Sequence, residues 1–243
     1  MPDTRVEVLP VRNMGAAHEV TRETSIYVYE APVRIWHWVN ALCIVVLAAT
    51  GFLIGRPPPA VAPGATDDLL FGYLRFTHFA AGQVLAIGFL FRILWAFVGN
   101  HHARQVFLLP VFNLRWWAEV WHEAKWYAFL TPEPKKYAGH NPLAQLAMFV
   151  MFTAGIALMI LTGLALYAEG AGQQSWWWAA FGWVHGLAGD SMTLHTVHHL
   201  GMWVLVVFAI VHVYAAIRED IMSRQSLIST MISGRRMFKD DRP

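Results

Sequence analysis

Twelve histidines occur in a chain of 243 residues in which only 14% are charged. Five of them, His37, His78, His198, His199 and His212, fall inside long apolar runs, where an ionisable side chain is costly and marks a functional site by default. An imidazole in that setting can ligate a metal or a haem iron, relay a proton, or hydrogen-bond a neighbouring helix. Spacing narrows the choice. From His198 to His212 is a step of 14 residues, which on an α-helix leaves a net offset of about 40° and a rise of about 21 Å. One helix therefore presents two imidazoles on one face at two levels. His199 and His195 point about 140° and about 100° away from His212. Two further imidazoles, from other helices at matching levels, would complete two opposed pairs. Each pair suits a six-coordinate, low-spin haem iron that has no open position for substrate and so carries electrons. A di-metal or proton-relay site is the alternative, although the runs offer no carboxylates to complete one.

The elements that must hold these residues are apolar helices. Runs 35–54, 76–98, 143–168 and 197–217 each approach the 20 or so residues needed to cross a hydrocarbon core. The first lies well inside the chain and is followed by Arg56 and three prolines, so it reads as a retained span and not as a cleaved signal. Four spans put both termini on one side. Fifteen of the 18 basic residues lie in the N-terminal segment, the loop between spans two and three, and the C-terminal tail, whereas Arg56 and Arg75 alone flank the opposite loops. The positive-inside bias places both termini in the cytoplasm, and explains the basic pI without nucleic-acid binding. His37 and His212 then share a depth near the cytoplasmic face, and His78 and His198 share one near the outer face. The expected architecture is an all-α, antiparallel four-helix membrane bundle holding two b haems. Residues 1–30 form a cytoplasmic N-terminal segment, 31–220 the bundle and 221–243 a cytoplasmic tail, with residues 1–25 poorly ordered.

Other residues extend this picture. Arg92 lies 14 residues beyond His78, and Arg34 and Arg75 each precede a candidate ligand by three. All three are candidate propionate contacts, with snorkelling or span-end marking as the other reading. Gly82, Gly88, Gly155, Gly163 and Gly201 could admit a flat macrocycle or serve close helix packing. Cys43 is the only cysteine, which excludes internal disulfides, thiolate-ligated clusters and covalent haem attachment. Residues 113–130 read as an amphipathic helix in the interface, and Trp116, Trp117, Trp121 and Trp126 on it as anchors; Trp176, Trp177, Trp178 and Trp183 read as an outer aromatic belt. His18, His101, His102, His122, His185, His195 and His199 are taken as loop or interfacial residues.

Two segments resemble a known family. Arg34-Ile-Trp-His37-Trp-Val-Asn-Ala-Leu-Cys43, continuing to Thr50-Gly51, is similar to the first signature of the b-type cytochrome subunits of membrane-bound nickel–iron hydrogenases. His195-Thr-Val-His198-His199-Leu-Gly-Met-Trp203, continuing to His212, is similar to the second, and Tyr137-Ala-Gly-His140-Asn141-Pro142 and Ile217-Arg218-Glu219-Asp220 are shared as well. The resemblance runs from about Tyr27 to Lys239. It implies a chain of the bacterial cytoplasmic membrane that anchors a hydrogenase of small and large subunits facing the periplasm. Such a chain takes electrons from the small subunit's iron–sulfur chain and passes them through two b haems to quinone. The ligands carry over onto His37, His78, His198 and His212. By similarity to the related formate dehydrogenase cytochrome, His140, Asn141 and Tyr137 are candidates for the quinone pocket, with helix entry as the other role of His140. The chain itself would have no hydrogen-activating site. Alternatives are the same cytochrome serving a formate dehydrogenase or a thiosulfate reductase, and a haem-free anchor or transporter.

Overall fold

The computed structural model describes residues 24–56, 65–132 and 135–238. Arg5, Arg12, His18 and Arg22, the outer loop from Pro57 to Gly64, Lys239 and Arg242 lie outside the described residues. The elements in chain order are β1 (Thr24–Tyr27), α1 (Ala31–Gly55), α2 (Ala65–Val98), α3 (His101–Arg104), α4 (Leu114–Tyr127), α5 (Pro142–Ala147), a π-helical turn (Met148–Thr153), α6 (Ala154–Ala171), α7 (Trp176–Phe181), α8 (Trp183–Ala188), α9 (Ser191–Met222), α10 (Leu227–Ser233) and β2 (Arg235–Phe238).

Among the described residues, four stretches are long and apolar enough to cross a membrane: Ala31–Gly55, Leu69–Val98, Pro142–Ala171 and Ser191–Met222. At most 22% of the apolar window of any of them is buried inside the protein. Leu42, Val45, Ile87, Leu90, Phe97 and Ile210 are all exposed. Water would not tolerate that much apolar surface, so lipid must cover it. The chain is a multi-pass, helical membrane protein. The helices overrun the apolar runs because their ends are polar yet well capped. Asn141, for instance, accepts a hydrogen bond from the Ala144 backbone N–H at 2.6 Å, and Pro142 follows it at the first helical position.

The described chain divides into two compact units, one of residues 24–37, 94–149 and 211–238, the other of 38–93 and 150–210. In the first, the described parts of the two terminal segments pack together. Strands β1 and β2 pair antiparallel, with Ile26 opposite Arg236. This short sheet is an addition to the expected helical bundle. Four-residue strands carry too little alternation to stand out beside an apolar span. Gly234 closes α10 in the left-handed conformation (φ 81°) and turns the chain into β2. The Glu30 carboxylate accepts from Trp95 Nε1 and from the Asn100 N–H, both at 3.0 Å, while Asn100 Nδ2 donates to the Val28 carbonyl. Val28, Tyr29, Val33 and Ala103 form the apolar core beneath.

Helix α4 is amphipathic, as its pattern suggests, but its buried face carries Trp116, Val120, Glu123 and Trp126. Trp116 Nε1 donates to Gln145 and Trp126 Nε1 to Glu219, each at 3.1 Å. Only Trp117 and Trp121 face outward as anchors do. Arg218 and Arg236, read from the sequence as tail charges, are buried as well. Arg218 lies 4.7 Å over the Trp126 ring and donates to the Trp126 carbonyl. Arg236 donates to the carbonyls of Tyr137 and Gly139 at 2.9 and 2.7 Å. In the second unit, α7 and α8 cap α6 through Ala165, Val184 and Leu194. Trp176 and Trp183 are exposed, whereas Trp178 stacks on His185 with centroids 5.1 Å apart.

Candidate functional site

The second unit holds a cavity of about 670 Å³, which lies within the range of small-molecule and cofactor sites. His78 from α2 and His198 from α9 line it, with ring centroids 6.4 Å apart and planes crossed at 73°. In the first unit His37 from α1 and His212 from α9 stand at the same 6.4 Å, crossed at 53°. That separation discriminates between readings. A direct N–H···N bond of about 2.9 Å plus two ring radii of about 1.1 Å would bring opposed centroids to about 5 Å. Two metal–nitrogen bonds of about 2 Å with the same radii give about 6.3 Å. Both pairs are spaced for one ion between two imidazoles, and the donor set suits haem iron.

The surroundings of the His78/His198 pair fit a flat group. Gly51 and Gly163 lie against the two rings, where an added Cβ would sit 3.2 Å from His78 Cε1 and 3.1 Å from His198 Cε1. Gly82 borders the cavity with space above it, the nearest atom to an added Cβ being Leu47 Cδ2 at 3.9 Å. By contrast, Gly155 and Gly201 meet Leu205 and Met159, so they serve helix packing. His195 and His199 also line the cavity. His199 Nε2 accepts from Trp203 Nε1 at 3.3 Å, and His195 Nδ1 lies 2.9 Å from the Ser191 carbonyl. Of the three histidines that open α9, His198 is the one set opposite His78.

The arginines diverge. Arg75 lines the cavity. Arg92 is 3% exposed, so it does not snorkel. Arg34 donates to the Ile232 carbonyl in α10, a contact that ties the terminal segments together.

The quinone candidates lie in the first unit, each with a local bond. His140 Nδ1 lies 3.2 Å from the Tyr29 hydroxyl, and its backbone N–H donates to Gln105 at 3.2 Å. Asn141 caps α5, and Tyr137 donates to Glu119 at 2.8 Å. Around them sits a polar cluster that the sequence did not announce. Glu123 is fully buried, and Glu219 is nearly so. Burial, reinforced by the nearby Glu219 charge, pushes the Glu123 carboxyl up to about 7. Burial and the hydrogen bond to Glu119 likewise raise the Tyr137 hydroxyl. Glu119 moves the other way, held down by hydrogen bonds from Lys135 and Tyr137. A buried glutamate in an interfacial-looking helix leaves no signal in the sequence, because its neighbours come from residues 135–141 and from α9.

The chain matches the family model described as prokaryotic cytochrome b561 over residues 28–234. It is 64% identical over 225 residues to the Azotobacter vinelandii protein named "Probable Ni/Fe-hydrogenase B-type cytochrome subunit", covering 93% of this chain and 94% of that one. It is 61% identical over 215 residues to the Cupriavidus necator protein of the same name, covering 88% of each. It is also 48% identical over 219 residues to the "Probable Ni/Fe-hydrogenase 1 B-type cytochrome subunit" of Escherichia coli K12, covering 88% of this chain and 92% of that one. With two histidine pairs set in apolar helices and a match that runs from just after β1 to just past α10, the chain belongs to the prokaryotic cytochrome b561 family, among relatives named as B-type cytochrome subunits of Ni/Fe hydrogenases.

Proposed function

We propose that this chain is the di-haem b subunit that anchors a nickel–iron hydrogenase, of small and large subunits, to the bacterial cytoplasmic membrane and connects it to quinone. The observation that carries the reading is the equal 6.4 Å spacing of two histidine pairs, each contributed by two different helices. His78 and His198 hold the outer haem, and His37 and His212 the inner one. When bound, each haem would supply a reversible one-electron couple. The residues of this chain hold the macrocycles dry and in place. Gly51 and Gly163 seat the two imidazoles, Gly82 leaves open space in the cavity, and Arg75 on the cavity lining would neutralise a propionate. The excess of basic residues near both termini and in the middle loop supports cytoplasmic termini. A quinone site at His140, Tyr137 and Asn141 would draw its protons from that side.

The test is to purify the chain with its partners and count haem by pyridine haemochromogen. About two b haems per chain, nickel in the partner and hydrogen-dependent quinone reduction are the expected results. A colourless chain would remove the cytochrome reading, and a nickel-free partner would point to another oxidoreductase.

Gly163→Val gives a sharper structural check. The new side chain would intrude on His198 Cε1, so haem affinity at that pair should fall about tenfold or more. Haem content after dialysis should then approach half that of the unaltered complex, and full retention would show that His198 is not held against Gly163.

A further inference from the structure

We infer that Thr50 and Thr162 are positioning residues for the His78/His198 pair, fixing both imidazoles as the Nδ1–H tautomer and so setting the redox balance of the haem held there; the inference rests on the ligand assignment above. A threonine hydroxyl has one proton to give. Thr50 Oγ1 gives it to the Val46 carbonyl at 2.7 Å, and Thr162 Oγ1 to the Leu158 carbonyl at 2.8 Å, each one turn back in its own helix. The same two oxygens lie 2.9 Å from His78 Nδ1 and 2.8 Å from His198 Nδ1. With their protons committed, they can only accept, so Nδ1 is the donor in both rings.

A neutral imidazole with its proton on Nδ1 carries its lone pair on Nε2. Both rings are thus prepared to ligate through Nε2 before any iron arrives. The residue after each threonine completes the seat. Gly51 and Gly163 let the Cε1 edge of the same ring rest against helix backbone, where any side chain would collide. The Thr-Gly pair occurs once in α1 and once in α6, the two helices that give no ligand to this pair. An acceptor on Nδ1–H makes the imidazole a better donor and favours the oxidised iron. The hydroxyl is polarised for this by its own donated bond.

The test uses the purified complex and four variants, Thr50→Val, Thr162→Val, Thr50→Ser and Thr162→Ser. Valine keeps the shape and removes the acceptor; serine keeps the acceptor. Redox titration of the two haems and the EPR signals of the oxidised form are the readouts. Each valine variant should shift the oxidised-to-reduced ratio of one haem about three- to tenfold toward reduced, a rise of about 30–60 mV for a one-electron couple, and leave the other haem unmoved. Serine variants should titrate as the unaltered protein does. Unchanged potentials and EPR in both valine variants would overturn the inference, as would serine variants that shift as far as valine. If a valine variant loses the haem instead, its serine counterpart decides. Haem retained at the original potential supports the hydroxyl's role, and haem lost again overturns it. Failure of the ligand assignment is seen separately, as His78→Ala and His198→Ala complexes that keep both haems.

Discussion

His198→Ala is expected to lower haem content from about two per chain to about one, whereas His199→Ala should leave both in place. The two residues are adjacent in sequence, and only their helical faces separate them. His198 stands 6.4 Å from His78, with its Nδ1 beside Thr162 and its Cε1 edge against Gly163. His199 turns toward α1, where an added Cβ at Gly55 would lie 3.3 Å from its Cε1, and its Nε2 already accepts from Trp203. Losing His199 removes one 3.3 Å bond near the mouth of the cavity. Losing His198 removes half of an axial pair. His78→Ala should match His198→Ala, and His37→Ala should match His212→Ala. The reduced-minus-oxidised spectrum of each single variant should retain the other haem's band. Severe haem loss from His199→Ala, with His198→Ala mild, would mean that α9 presents a different face to α2.

The histidine geometry was legible because it depends on one regular object. A 14-residue step within an uninterrupted helix fixes a face, and α9 is helical from Ser191 to Met222. Span existence was legible for the same reason: long apolar runs have few alternatives to a membrane helix. What escaped depends on distant partners. Nothing near Arg236 in sequence says that its guanidinium will reach the carbonyls of Tyr137 and Gly139. Nothing near Trp126 points to Glu219. Solvation is the usual fate of an arginine outside a span, yet Arg218 is held among Trp126, Tyr127 and Phe129. Thr50 and Thr162 were hidden differently. A threonine bonded to its own helix looks like any other, and its second contact is made by a ring from another helix. The π-helical turn at Met148–Thr153 has no proline or glycine to announce it.

Glu123→Gln is expected to make the complex more stable above neutral pH and to flatten its stability-versus-pH curve. Glu123 is fully buried in α4, beside Glu219 of α9 and near Tyr137, Glu119 and Lys135. Its carboxyl is raised from 4.5 to about 7, first by burial and then by the Glu219 charge. The folded protein therefore holds this proton over a range where the unfolded chain has lost it. Below about 4.5 both states are protonated and the group contributes nothing unfavourable. As pH rises from about 4.5 to about 7, the unfolded chain gives up the proton while the folded protein keeps it, and stability falls. Above 7 the full cost is present, up to about 3 kcal/mol for a shift of this size. Glutamine keeps the shape and the neutral form at every pH, so the two proteins should be close at about pH 4.5, diverge up to about pH 7 and stay apart by a constant amount above it, with the variant the more stable. Detergent-solubilised complex, unfolded by heat at a series of pH values, provides the measurement. Curves that stay parallel would show that Glu123 is ionised in the folded protein at neutral pH. Glu219→Gln offers a check on the cause. It removes the second-largest influence on Glu123, so the fall in stability should end at a lower pH, and the divergence from Glu123→Gln should shrink without vanishing.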